Sequence, residues 1–531
     1  MPEEVWGKWH ALKNPNAHKL TSLQSEKVIT ADTTQFGYSY TRDLCEAIER
    51  FTADATHRRF DAFSYRGLNL RYAVERQLYV RCINSDALFN LYVDQLTPKR
   101  SSVRWTLDAI EAEVARHLLP PQSSDQFNTY LEVRQFPGYH QLRWLYRRLR
   151  DVPYSWRRVP PQESVPVLFH VVHPKFAEYL KPVTDKFPGQ YAYLVTIDKG
   201  LAGMFEQMGL PHVDPQCGSS SVTAAFVKGP LLYFVNLIDA VDTMYSAISS
   251  MKPKCVVVVE GNASLDVVTS EVCKLFSIPV LCIQQGWSPY VHSGFRNMSF
   301  ANMFVWGRGF VKLLAGYNPQ QHFTVVGNHA IYRSVIQTVQ GPHSGRAISF
   351  FLQAPCALLS KAGYEQFVDL IASCAASHPN VRMLVREHPS YPLPVGLRAR
   401  LSVHVNVHFS APATDSLAEL IQASDLVVSV FSTVLLEAIA LGTVPLVCNI
   451  GSLPQYEPDI AGTGAGIEVK TVEAAKQVID RAIDEPDFLE RYRQKLKLIA
   501  DEFFSTQDAA DLIARKIREE AGMVPAVSNA S

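Results

Sequence analysis

The chain has 531 residues, of which 47% are hydrophobic, 19% charged and 11% aromatic, so it is apolar enough to form several folded domains. Its 51 Lys and Arg balance its 51 Asp and Glu. This balance argues against a general nucleic-acid binder, because such domains usually carry a basic excess. Nine scattered cysteines without a C-x-x-C pair argue against a disulfide framework or a cysteine zinc site. No signal-peptide pattern or membrane-spanning run is visible, so we expect a cytoplasmic protein.

The first 150 residues predict a helical, arginine-rich region without recognisable chemistry. From Val165 onward, short β-branched runs alternate with amphipathic segments, a pattern typical of parallel sheets covered on both faces. The first series of predicted elements comprises strands at 167–173, 191–197, 255–259 and 278–283, and helices at 174–187, at 231–251 and from 263. The second comprises strands at 347–352, 381–386, 403–409, 426–430 and 444–447, and helices at 364–376, 416–423, 433–441 and within 486–521.

These series predict an α/β protein with two Rossmann-like parallel-sheet domains that face a cleft. The predicted segments are a helical N-terminal region (1–150), a first Rossmann-like domain (151–340), a second one (341–485) and C-terminal helices (486–531). Neither domain has a G-x-G-x-x-G run after its first strand or a G-x-x-x-x-G-K-[ST] loop. Dinucleotide oxidoreductases and P-loop kinases are therefore disfavoured.

The segment from Ser429 to Gly442 contains the sharpest candidate site. A strand ends just before Ser432 and Thr433, whose hydroxyls open the next helix and could bind a phosphate. Glu437 lies one turn further along the same face, where it could accept hydrogen bonds from ribose hydroxyls. The alternative is a simple helix cap with a solvated glutamate.

A second candidate is His388, at the end of the strand Val385-Arg-Glu-His-Pro389. Pro389 enforces an extended exit from the strand and turns the imidazole toward the cleft. There it could bind a phosphate oxygen and stabilise a departing nucleotide. The alternative is a structural histidine with satisfied hydrogen bonds.

With these residues in place, the segment 345–485 resembles the nucleotide-sugar domain of GT-B glycosyltransferases. The His-Pro element and the Ser/Thr pair that opens the Glu437 helix are similar to elements of bacterial transferases that use CMP-activated ulosonic acids. They are also similar to CDP-glycerol glycerophosphotransferases and capsule-synthesis proteins. The resemblance implies that His388, Ser432 and Thr433 contact the nucleotide phosphate and that Glu437 meets the ribose.

The first α/β domain resembles the acceptor domain of the same enzymes. Ile283-Gln-Gln-Gly286 is similar to a strand-end Gln-x-Gly element, which implies donor contacts for Gln285 and Gly286. CMP-sugar transferases often carry two acids and a glycine at the end of the equivalent strand, the first acid being the general base. Here Val259 takes the first acidic place, so Glu260 is the favoured base. The alternatives are a capping role for Glu260 and a base at Asp266, His173 or His292.

No D-x-D occurs in the sequence, so we expect no metal-held diphosphate and no metal site. Seven arginines between Arg134 and Arg158 are interleaved with tyrosine and tryptophan. This segment either contacts an anionic membrane peripherally, or packs as an arginine-lined face on the first α/β domain.

The sequence therefore predicts an inverting, metal-independent glycosyltransferase without a cofactor. It would move a sugar from a CMP-type donor to a surface glycan or lipid-linked acceptor. Two alternatives share the fold: an enzyme of the UDP-N-acetylglucosamine 2-epimerase or CDP-glycerol transferase type, and a non-catalytic protein that binds glycans or nucleotides.

Overall fold

The structure is a computed structural model, and the description covers a defined part of the chain. The described residues are 37–58, 62–83, 164–195, 199–213, 231, 234–329, 331, 346–356, 358–388, 391–411, 415–450, 456–485, 487–505 and 508–523. Pro389 and the arginine-rich segment 134–158 lie outside them. In the described part, no helix combines the length and apolarity needed to cross a bilayer.

The described part of the N-terminal region is mainly helical, and it packs on the first α/β domain. Its elements are α1 (Gly37–Arg58), the short antiparallel pair β1 (Ser64–Tyr65) and β2 (Leu68–Asn69), and α2 (Arg71–Ile83). The Tyr65 hydroxyl and the Arg66 guanidinium both donate to the buried Asp242 carboxylate of the first domain, at 3.0 and 2.8 Å. Its core side chains are continuous with those of that domain.

The first α/β domain is built on a parallel sheet with the strand order β5-β4-β3-β6-β7-β8-β9. Its strands are β3 (Val167–Val171), β4 (Tyr191–Val195), β5 (His212–Val213), β6 (Cys255–Val259), β7 (Val280–Ile283), β8 (Asn302–Val305) and β9 (Phe323–Val325). Its helices are α3 (Pro174–Thr184), α4 (Lys199–Gln207), α5 (Val235–Met251), α6 (Ser264–Leu275) and α7 (Arg308–Ala315). Every residue of β3 and β6 is buried, as expected for central strands covered on both faces.

The second α/β domain repeats this plan with the strand order β12-β11-β10-β13-β14-β15. Its strands are β10 (Ala347–Phe351), β11 (Arg382–Arg386), β12 (Val407–Ser410), β13 (Leu426–Ser429), β14 (Val444–Cys448) and β15 (Ile467–Val469). Its helices are α8 (Lys361–Ser377), α9 (Val395–Ser402), α10 (Leu417–Gln422), α11 (Val434–Ala440) and α12 (Val472–Asp484). The expected fold class, an α/β protein with two Rossmann-like parallel-sheet domains, is confirmed.

One predicted strand, 403–409, was wrong in its first half. Residues 403–406 form the turn that follows α9, and β12 begins at Val407. The alternation of Val403, Val405 and Val407 resembles a half-buried strand. However, Val403 and Val405 are 74% and 90% exposed, so these valines do not belong to the buried face of a strand.

The C-terminal helices return from the second domain to the first. They are α13 (Glu490–Phe503), which lies beside both α11 and α7, and α14 (Ala509–Glu520), which packs on α3. Gly309 of α7 lets the Phe503 ring approach so closely that a Cβ at this position would stand 2.5 Å from it. Phe503 also meets Phe310 edge to face, with ring centroids 5.1 Å apart. The C-terminal segment therefore ties the two domains together.

We expect Phe503→Ala to lower the free energy of unfolding by about 3–5 kcal/mol, because it leaves a cavity where α13 meets α7. Thermal and urea denaturation measure the loss. Leu498→Ala on the same helix is the control: Leu498 is 70% exposed, so this change should cost less than about 0.5 kcal/mol. Equal stabilities of the two variants would contradict the assigned packing.

Candidate functional site

The predicted site residues gather at the carboxyl edges of the two sheets. The edge of the first sheet carries Glu260, Gln285 and Gly286, and the edge of the second carries His388, Ser432, Thr433 and Glu437. In each sheet the strand order reverses beside the first strand, between β3 and β6 and between β10 and β13. In open α/β sheets, ligands bind at such switch points.

Glu260 leaves β6 in an unusual backbone conformation. Its φ is +67°, in the left-handed region, and its N–H donates to the carbonyl of Ile283 at 2.9 Å. One carboxylate oxygen accepts a hydrogen bond from the Asn262 amide at 3.4 Å. Burial raises the pKa of the Glu260 carboxyl, while the charge of Lys175 and the Asn262 hydrogen bond act in the opposite direction. A half-buried carboxylate with a raised pKa is suited to accept a proton near neutral pH.

Gly286 shows how closely the two domains meet at this point. A Cβ at Gly286 would stand 3.3 Å from Glu260 Oε1 and 3.7 Å from Thr433 Oγ1. Glu260 and Gly286 belong to the first domain, and Thr433 to the second. The structure therefore brings these three predicted residues together across the domain boundary.

Thr433 is engaged in a contact between the domains. Its hydroxyl accepts a hydrogen bond from the backbone N–H of Trp287 at 3.0 Å and donates one to the carbonyl of the same residue at 2.9 Å. The Trp287 indole donates to the carbonyl of Glu457 at 2.7 Å, and the Glu457 N–H donates to the Pro289 carbonyl at 2.9 Å. A role for Thr433 as a phosphate donor therefore requires this contact to open first.

His388 lies at the end of β11, half-buried, and pairs through its backbone with Tyr391. Burial lowers the pKa of its imidazole, and the charge of Lys175 lowers it further. The imidazole is therefore neutral near pH 7 and offers one N–H as a donor. Lys175, at the start of α3 in the first domain, acts on both Glu260 and His388. Its ammonium is thus close to the candidate groups of both domains.

Ser432 and Glu437 flank the start of α11. The Ser432 hydroxyl accepts from the Val434 N–H at 3.3 Å, and its carbonyl accepts from the buried Tyr456 hydroxyl at 2.9 Å. The half-buried Glu437 side chain makes no hydrogen bond to another described residue. Burial raises the pKa of Glu437 to about 7, and the charge of Arg386 opposes this shift. A carboxyl with free acceptor capacity is what a ribose diol requires.

The two glutamines after β7 differ in their hydrogen bonds: the side chain of Gln284 is bonded within the protein, and that of Gln285 is available to a ligand. Gln284 is 2% exposed; its side chain accepts from the Trp306 N–H at 3.0 Å and donates to the Gly286 carbonyl at 3.4 Å. Gln285 is half-buried, and its side chain makes no hydrogen bond within the described residues. Gln285, which the sequence analysis selected, is thus available to a ligand.

The three alternative bases have structural contacts. Asp266 accepts from the Ala263 N–H at 3.1 Å at the start of α6, and burial raises its pKa to about 7. The Nδ1 of His173 accepts from the Lys175 N–H at 3.1 Å, and that of His292 from the Gly294 N–H at 3.0 Å. Burial lowers the pKa of His292 to about 3. Each of the three thus has a hydrogen bond within the first domain, and Glu260 stays the predicted base.

Two functional candidates were missed by the sequence analysis. Lys175 follows His173-Pro174 at the end of β3, which repeats the strand-end His-Pro pattern at His388. That repetition was the available signal. Arg386 ends β11, donates to the Ser410 hydroxyl at 3.2 Å, and is close enough to affect the pKa of Glu437.

Comparison with known proteins supports an enzymatic role. Residues 355–498 match the family model described as glycosyl transferases group 1. The match supports glycosyltransferase activity, and it contains His388, Ser432, Thr433 and Glu437. No curated protein sequence matches the chain.

Several solved structures are similar in architecture. A putative UDP-N-acetylglucosamine 2-epimerase from Listeria monocytogenes is 14% identical, with a TM-score of 0.47; the match covers 67% of this chain and 96% of that one. The epimerase from Neisseria meningitidis, solved with UDP-GlcNAc, is 14% identical, with a TM-score of 0.46 and coverages of 66% and 99%. MurG from Acinetobacter baumannii is 13% identical, with a TM-score of 0.43 and coverages of 67% and 100%. At such values we infer neither substrate nor mechanism from them.

We expect Thr433→Val to destabilise the protein by about 1–3 kcal/mol, because it leaves the N–H and C=O groups of the buried Trp287 without their partner. Thermal denaturation measures the effect. Thr433→Ser keeps the hydroxyl and should melt close to the parent chain. If the Val and Ser variants had the same Tm, the hydrogen bonds between Thr433 and Trp287 would be contradicted.

Glu437→Gln should stabilise the protein more at pH 8 than at pH 5. The folded state holds the Glu437 proton up to about pH 7, whereas an unfolded chain releases it near 4.5. The stabilisation contributed by protonated Glu437 is therefore fully present below pH 4.5 and is lost as the pH rises through 7. Glutamine does not ionise and avoids the loss, so we expect a gain of a few degrees in Tm at pH 8. Glu419→Gln, at an exposed position of α10, is the control, and an equal gain at both pH values would disprove the effect.

Proposed function

We propose that the chain is an inverting, metal-independent glycosyltransferase. In this proposal it transfers an ulosonic acid from a CMP donor to a surface-glycan or lipid-linked acceptor. The observation that carries it is the half-buried carboxylate of Glu260 at the edge of the first sheet, beside Gly286, which Thr433 of the second domain also approaches. A base in one domain and a leaving-group site in the other suit a displacement that inverts the anomeric centre.

In the proposed reaction, Glu260 removes the proton from an acceptor hydroxyl. The acceptor oxygen then bonds to the anomeric carbon of the donor. The bond between that carbon and the phosphate oxygen breaks, and CMP leaves with the electron pair. Glu260 is a better base than an exposed carboxylate, because burial raises its pKa toward the pH at which the enzyme works.

The departing phosphate would be held by residues of the second domain. Neutral His388 would donate from a ring N–H, and the Ser432 hydroxyl follows β13 at the same edge of the sheet. Thr433 joins them when its contact with Trp287 opens. Glu437 accepts from the ribose hydroxyls, and Gln285 contacts the donor from the first domain.

The charge near the site supports an anionic donor. A CMP-ulosonic acid carries one phosphate and a carboxylate on its anomeric carbon, so it needs cationic partners on both sides of the reacting bond. The charge of Lys175 affects the pKa values of both Glu260 and His388, and the charge of Arg386 affects that of Glu437. Within the described residues, no group of three or more His, Cys, Asp or Glu could hold a metal ion. Within the described part of the chain, Lys175 and Arg386 are the candidates for neutralising the charge of the leaving group.

The decisive experiment compares nucleotide binding with transfer in the same variants. CMP should raise the Tm of the parent chain more than UDP or GDP does. Glu260→Gln should keep this shift and lose most transfer from CMP-sialic acid or CMP-Kdo to an arrayed set of glycans. His388→Ala should lower transfer by about 10²–10³-fold. Glu178→Gln, at an exposed position of α3, is the control.

Normal transfer by Glu260→Gln would remove Glu260 as the base. A larger Tm shift with UDP or GDP would reject the CMP donor. An isomerised nucleotide sugar formed without acceptor would show an epimerase instead, and nucleotide binding without turnover of any donor would show a binding protein.

A further inference from the structure

A buried arginine of the N-terminal region reaches the turn that carries Glu260. Arg76 lies on α2 and is 2% exposed. Its Nη2 donates to the carbonyl of Gly261 at 3.4 Å, and its Nε and Nη2 donate to the carbonyl of Gly294 at 3.2 and 3.0 Å. One guanidinium therefore joins two loops of the first α/β domain.

The first of these loops has a backbone that needs support. Glu260 and Gly261 have φ values of +67° and +71°, so two successive residues are left-handed. For a residue with a side chain this costs about 1–3 kcal/mol, and it persists only where the surroundings enforce it. A Cβ at Gly261 would stand 2.6 Å from Cys282 Sγ and 2.8 Å from the Phe300 ring. The turn is thus tightly enclosed, and Arg76 holds its carbonyl.

The second loop, which contains Gly294, contacts a hydrogen-bond partner of the Glu260 carboxylate. A Cβ at Gly294 would stand 3.0 Å from the Cβ of Asn262, so this loop packs directly against Asn262. The Asn262 amide in turn donates to Glu260 Oε2 at 3.4 Å. Arg76 thus joins the carbonyls of Gly261 and Gly294, and Asn262 follows the first of these residues and packs on the second.

The burial of Arg76 is costly. Burial lowers the pKa of its guanidinium to about 10, and the nearby Asp266 opposes this shift, so the group stays charged at neutral pH. Buried charges contribute little net stability compared with apolar side chains of similar size. A planar group with several fixed donors is, however, well suited to hold two carbonyls in one geometry. This favours a role in positioning over a role in stability.

We propose that Arg76 is a positioning residue that holds the Glu260 carboxylate in its reactive orientation. The N-terminal region would then complete the site of the first α/β domain. The inference rests on the proposed function of Glu260 as the base.

The test uses Arg76→Met and Arg76→Lys in the full chain. We expect Arg76→Met to keep the Tm shift with CMP but to lower transfer by about 10²-fold, since small misplacements of reacting groups cost this much. The acidic limb of its kcat/KM profile should move to lower pH, because a relaxed turn returns Glu260 to water. Lysine can reach one carbonyl but not both, so Arg76→Lys should retain intermediate activity, and it tests the idea even if the Met variant does not fold.

Arg71→Met is the matched control. Arg71 lies on the same helix and donates to Glu75 at 2.9 Å, to Thr52 at 3.1 Å and to the Glu49 carbonyl at 3.2 Å, all within the N-terminal region. Its loss should lower Tm while transfer and the pH profile stay unchanged. If Arg76→Met and Arg76→Lys transfer at the parent rate with an unshifted acidic limb, Arg76 is merely structural and the inference falls.

A double variant separates this inference from the proposed function. If Arg76 acts through Glu260, Arg76→Met combined with Glu260→Gln should be no slower than Glu260→Gln alone. A multiplicative loss would show that Arg76 acts elsewhere. Parent-level transfer by Glu260→Gln alone would overturn the base itself, whereas an impaired Glu260→Gln beside an unimpaired Arg76→Met would overturn only the positioning role.

Discussion

All described strand pairs in the two large sheets are parallel, and the remaining architecture depends on this constraint. A parallel sheet buries both faces under helices, so polar chemistry can lie only where the strands end. Each domain therefore brings its strand-end residues to one edge. The hydroxyl of Thr433 joins the two edges, because it exchanges two hydrogen bonds with the backbone of a single residue of the opposite domain.

Three carboxyl groups at or near the carboxyl edges of the two sheets have raised pKa values. Burial raises the pKa of Glu260, Asp266 and Glu437, so the folded protein gains stability when these groups take up protons. Lys175 and Arg386 partly offset this effect through their charges. Such opposition between burial and nearby charge is common where carboxyl groups serve proton transfer or ligand binding.

Sequence patterns predicted the sheets well because buried parallel strands are short, β-branched and bounded by helices; β6 was predicted to the residue. They placed His388 and Glu260 correctly at strand ends for the same reason. They could not show that the Thr433 hydroxyl is occupied by Trp287, because the two residues are distant in sequence and meet only through tertiary packing. Arg76 was equally invisible: an arginine in a charged amphipathic helix normally faces solvent, and its burial depends on a loop more than two hundred residues away.

The return of α14 to the first domain has a consequence for biosynthesis. Its residues Ala510, Ile513 and Ile517 share one apolar cluster with Phe176 and Leu180 of α3. The ribosome makes α3 hundreds of residues before α14, at about 5–20 residues per second. Until α14 is made, the first domain thus presents an uncovered apolar face. Its final packing waits for this helix, so the nascent chain is exposed to aggregation and to chaperone binding until α14 has left the ribosome.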